Sequence, residues 1–114
     1  MIDINNEAKK SLEKTGYNLV YQYPEHFSRL PVISYYNLSE KGAFYADNNE
    51  SIQEGYVQID IWSRSPKECY DISIEVNKVL TSDGWTREMS MDVPRGNDKL
   101  YHRTMRFQKY FILE

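Results

Sequence analysis

GYVQIDIWSRSPKECYDISIEV, residues 55–76, decides how the rest of the chain is read. Its first half alternates. Val57, Ile59 and Ile61 fall on one side of an extended chain, and Gln58, Asp60 and Trp62 fall on the other. Its second half changes period. Ser65, Pro66 and Glu68 take the N-cap, first and third positions of a helix, a capping box with proline where no amide is missed. Cys69, Ile72, Val76, Val79 and Leu80 then follow along one helical face, and Gly84 after Asp83 is placed to end the helix. The stretch therefore predicts a strand from Tyr56 to about Ser63 running into a helix over 66–83.

Outward from that junction the elements are shorter. Toward the N-terminus, PVISYYNL (31–38) reads as a strand with proline at its first residue, where a ladder donor is least missed. NLVYQYP (18–24) is a short strand ended by Pro24. INNEAKKSLEKTG places Ile4, Ala8 and Leu12 at helical spacing, with Asn5 or Asn6 as N-cap and Gly16 as stop. That stripe is narrow, which predicts a short helix on the surface. Residues 39–55 are polar with two glycines and read as a long loop or mobile hairpin. Beyond the main helix, WTREMSM (85–91) alternates Trp85, Arg87, Met89 and Met91 against Thr86, Glu88 and Ser90. PRGND is a turn, and KLYHRTMRFQKYFIL a long final strand. The order α-β-β-β-α-β-β predicts an α+β domain: an antiparallel or mixed sheet of about five strands, with helix 66–83 packed on one face.

The bulk composition sets limits on function. The 114 residues suffice for one domain with a real core. No apolar run reaches the roughly 18 residues of a membrane span, and MIDINNEAKK does not read as a signal peptide. One cysteine forms no intramolecular disulfide and fits a reducing compartment, so a cytoplasmic product is expected. The net charge of −3 argues against a generic nucleic-acid binder. It is uneven, with 13 acids against 8 bases over residues 1–84 and 4 against 6 over 85–114. Ten tyrosines, apolar in the ring and wet at the hydroxyl, suit sheet faces and subunit interfaces.

Catalytic and metal motifs are weak. Cys69, His26 and His102 have no zinc-type spacing, so no metal is expected. Cys69 shares a helical face with Ile72 and Val76, which predicts a buried, inert thiol. The glycines stand singly and form no phosphate loop, so no cofactor is expected. Asp60 is the residue to weigh. Metal-dependent nucleases pair an Asp on one strand with E-x-K on the next, but the only such triplet, Glu7-Ala8-Lys9, lies in the N-terminal helix. Asp60 is therefore read as the wet face of a sheet, with a small metal-dependent nuclease or hydrolase kept as the alternative. The strand 99–109 has four bases and no acid, and a nucleic-acid-binding module using it is a second alternative. Its bases are expected instead to meet acids such as Asp60 on neighbouring strands, and His102 reads as a sheet-face residue.

The order of YNLVYQYPEHFSRLPVISYYNL, YVQIDIWS, GWTRE and KLYHRTMRF, across roughly residues 17–110, resembles the tail-completion proteins of long-tailed phages and prophages of Gram-positive bacteria. These are tail-terminator or head–tail joining proteins. The resemblance implies a structural protein without enzymatic activity. It implies a homo-oligomeric, commonly hexameric ring that meets the tail tube protein and the head connector, in the host cytoplasm during assembly and then in the virion tail.

Two surfaces follow as expectations from the residues. Trp62, Tyr70 and Ile74, with Arg103 and Arg106 as basic partners, form a candidate subunit interface. Glu40, Asp47, Glu50 and Glu54 form a candidate acidic loop, which repels DNA if it lines the lumen of a ring.

Overall fold

A computed structural model of the chain describes residues 1–97 and 99–113. The elements in order are α1 (Ile4–Glu13), β1 (Asn18–Tyr21), β2 (Val32–Ala46), β3 (Asn49–Ser63), α2 (Pro66–Ser82), β4 (Thr86–Val93) and β5 (Tyr101–Ile112). The five strands make one mixed sheet in the order β1-β2-β3-β5-β4. β1 runs parallel to β2 and every other pair is antiparallel. The fold is α+β, as the element order predicts.

The alternation of residues 57–62 sets the two faces. Val57, Ile59 and Ile61 lie fully buried with Ile33, Met105 and Phe107 on the face that both helices cover. α2 brings Cys69, Ile72, Val76 and Leu80 to that core. Ser65 caps it by accepting from the Glu68 amide at 3.3 Å, but the returning half of the capping box is displaced. The Glu68 carboxylate accepts from the Ser63 hydroxyl, which in turn accepts from the Ser65 amide. At the other end Trp85 N–H reaches Leu80 O and Gly84 N–H reaches Thr81 O, a Schellman ending. Gly84 makes it possible by holding φ at +93°.

α1 departs from expectation in two ways. Its N-cap is Asp3, which accepts from the Asn6 amide at 3.2 Å, and Asn5 accepts from the Asn37 amide on β2 instead. Nor does it ride on the surface, because Ile4, Ala8, Ser11 and Leu12 are all buried. Small residues at 8 and 11 let the helix approach the sheet closely. Ile4 also sits over Gly55, where an added Cβ would come within 2.6 Å of the Ile4 side chain.

Of the two readings of residues 39–55, loop or hairpin, the structure has the hairpin. β2 and β3 continue as paired strands to Ala46 and Asn49, joined by Asp47 and Asn48, both at positive φ as a type I′ turn requires. Bulges after Asn37 and Gly42 break the simple alternation there. The hairpin stretches the molecule to 53 × 24 × 21 Å. The radius of gyration is 15.2 Å, against about 13 Å for a compact chain of this length.

In β4 a bulge between Arg87 and Met89 also overrides the expected alternation. Arg87 pairs with Phe107 and Ser90 with Met105, so these two face the helical layer, while Met91 pairs with Thr104 on the opposite side.

Candidate functional site

The face away from the helices carries the chain's polar alternation, and it is not wet. Asp60 is only 1% exposed. The reason lies in β1. A parallel neighbour of β2 must be reached by a crossover, and residues 22–31 make it across this face. Tyr23 and Phe27 from that crossover pack on Trp62, with ring centroids 6.0 and 5.7 Å away. Trp62 in turn stacks on His102 at 4.4 Å and 18°. Trp62, expected as an apolar group for a partner to cover, is thus covered by its own chain.

Beneath this strap the Asp60 carboxylate is held on both oxygens. His102 Nε2 lies 2.7 Å from Oδ1, and Gln58 Nε2 donates to Oδ2 at 3.1 Å. Gln58 Oε1 accepts from Arg106 Nε at 3.3 Å, which extends the network to the exposed Arg106. None of the final strand's described bases pairs with Asp60 directly: His102, expected only as a sheet-face residue, does so, and Arg106 is linked to it through Gln58. Ser34 and Thr104 flank Asp60 on the adjoining strands; their buried hydroxyls have no hydrogen-bond partner among the described residues. The Tyr23 phenol sits at the rim. Its hydrogen bond with Tyr36, its burial and the nearby Asp60 charge push it up to about 12. A carboxylate so enclosed has the environment of a structural pair. Among the described residues no three His, Cys, Asp or Glu side chains gather as a metal-binding group.

Cys69 is buried, with Sγ directed at the carbonyls of Tyr101 and Ile61. Burial pushes its thiol up to about 11, which keeps it protonated and inert. His26 lies in the crossover, exposed, with Nδ1 2.8 Å from the Ser28 hydroxyl.

The expected acidic loop divides into two pairs. Glu40 accepts from Asn37 and Gln53, each at 2.6 Å. Glu54 is 5% exposed, accepts from Tyr56 at 2.8 Å, and pairs with Lys41 at 3.4 Å. Hydrogen bonds from Tyr110 and Tyr56, and then Lys41, hold its carboxyl below the usual 4.5. Both acids are thus bonded to neighbouring groups of the sheet. Asp47 remains exposed in the turn and Glu50 half-buried beside it.

The expected interface is divided by the sheet. Tyr70 and Ile74 are about half exposed on the flank of α2. Arg103 lies beside them, bonded to Asp92 at 2.9 Å and 5.6 Å from the Tyr70 ring. Trp62 and Arg106 are on the other face. α2 packs mainly on β3 and β5 and touches β4 less, so a groove of about 510 Å³ runs between α2 and β4, lined by Tyr70, Ile74, Asn77, Arg87, Ser90 and Arg103 among others.

A second apolar surface is absent from the sequence reading. Register places Phe44, Ile52 and Ile112 side by side across β2, β3 and β5 near the hairpin tip. Phe44 is 57% and Ile112 77% exposed, and Tyr110 stands one row away. The signal for it was the pair of apolar residues, Phe44 and Ile52, inside an otherwise polar stretch.

Among the described residues no helix is long and apolar enough to cross a membrane. The chain matches no family model and no curated protein.

Proposed function

We propose that the chain is a structural subunit of a phage tail. It forms a ring, hexameric in the form the sequence resemblance implies, that completes the tail and joins it to the head connector. In this reading it assembles in the host cytoplasm, is carried in the virion, and has no catalytic role.

The observation that carries the reading is the hairpin. A two-stranded arm extends past the helical layer and presents Phe44 and Ile112 to solvent, while Tyr70 and Ile74 stand half exposed elsewhere. Apolar groups left open at separate places suit a protein that other subunits finish covering. The buried Asp60–His102 pair supports a structural over a hydrolytic reading of that strand.

Deletion of the coding sequence from a phage that carries it tests the proposal. The expected result is unjoined heads and tails, or tails of irregular length, in electron micrographs, restored when the chain is supplied in trans. Normal infectious particles from the deletion sink it, as does Mg²⁺-dependent cleavage of DNA that Asp60→Asn abolishes.

A further inference from the structure

The two uncovered surfaces lie on opposite sides of one sheet. The Phe44–Ile52–Ile112 row is on the face away from the helices, and the α2–β4 groove is on the helical face. A single chain cannot bring them together, so a contact between them takes two copies.

Their chemistry is complementary. Glu40 and Glu54 of the hairpin are bonded within the sheet, which leaves Asp47 and Glu50 near the tip with no ion pair among the described residues. The groove presents Arg87 and Arg103 against Glu88, with Arg103 also paired to Asp92 at its edge. Its wall also holds three buried polar atoms without a partner among the described residues: Asn77 Oδ1, Ser90 Oγ and Arg103 Nε. A buried donor or acceptor left unpaired is costly, so an occupant is favoured that brings backbone amides and carboxylates as well as apolar area. The hairpin supplies all three. Beyond Tyr35 the outer edge of β2 has no strand beside it among the described residues, because β1 pairs only with Val32–Tyr35. Pairing of two hairpin arms with each other is disfavoured by their like charge.

We infer that the hairpin arm of one copy docks in the α2–β4 groove of a second copy, Phe44 against Tyr70 and Ile74, with Asp47 and Glu50 toward Arg87 and Arg103. The contact is heterologous, and it propagates to a ring where the rotation closes. The inference rests on the reading of the chain as a self-assembling subunit and names the contact that assembles it.

Cross-linking of two exposed-site variants tests it. Phe44→Cys and Ile74→Cys chains are oxidised separately and as a mixture, with unaltered chain as the control for the buried Cys69. A disulfide-linked dimer that forms only in the mixture supports the contact. No dimer in the mixture overturns it, and so does efficient dimer formation by Phe44→Cys alone, which means the arms pair with themselves. The result is separable from the tail assignment. A cross-linked contact in a chain whose deletion leaves particles normal keeps the docking and removes the tail role. Abnormal particles on deletion, with no cross-link, remove the docking alone.

Discussion

Asp60 shows how far one residue's neighbours decide its role. Its side on the strand follows from the alternation of residues 57–62, but its burial follows from Tyr23 and Phe27, more than thirty residues upstream. With His102 on one oxygen and Gln58 on the other, the carboxylate anchors the polar face. Asp60→Ala leaves both partners unmatched in a dry place, at an expected cost of about 1–3 kcal/mol. Urea unfolding reads this as a lower midpoint at unchanged slope. A variant as stable as the parent contradicts an anchoring role.

At the scale of elements, two carboxylates join what the sequence separates. Asp83 at the end of α2 accepts from Lys14 Nζ at 2.8 Å and from the Ser11 hydroxyl, which fastens the C-terminal ends of the two helices together. These bonds, Lys14 first, hold its carboxyl below the usual 3.8. Glu54 ties the base of the hairpin arm to β5 through Tyr110 and Gln108. Both carboxyls are depressed in the folded state, so their contributions are fully present above the ordinary carboxylate values and are lost as pH falls through the folded ones. Urea midpoints are therefore expected to hold level above the usual 4.5 of Glu54 and to decline progressively below it. Asp83→Asn should lower the plateau and flatten part of that decline. A midpoint indifferent to acid, or a decline unchanged in Asp83→Asn, removes the clasp from the account.

At the scale of the molecule, stability and extension separate. None of residues 43–52 is buried, whereas Gln53 at the arm's base is, bonded to both N–H and C=O of Ile2. Replacing 43–52 by a two-residue Asn-Gly turn keeps the Gly42–Gln53 pairing and the whole core. Thermal unfolding is then expected to shift by less than the equivalent of about 1 kcal/mol, as for surface changes clear of the core, while self-association measured by light scattering is lost. A large drop in melting temperature would show that the arm serves folding rather than contact.

The sequence by itself determined what local physics controls. The period change at Ser63–Pro66, the cap at Ser65 and the stop at Gly84 set α2, and alternation set which side of β3 and β5 meets the helices. It also marked Cys69 as a core thiol, because helical spacing carries that information directly. Tertiary structure alone decided what covers each side. Alternation separates Asp60 from Ile59 and Ile61, but only a crossover held by parallel pairing makes its side dry. The same limit applies to residues 39–55, whose polar composition left loop and hairpin open, because the strands exist only as each lends the other its hydrogen bonds. The bulge at Arg87–Met89 escaped for a like reason: an extra residue is defined by its partner strand, and a partner is not written in local spacing.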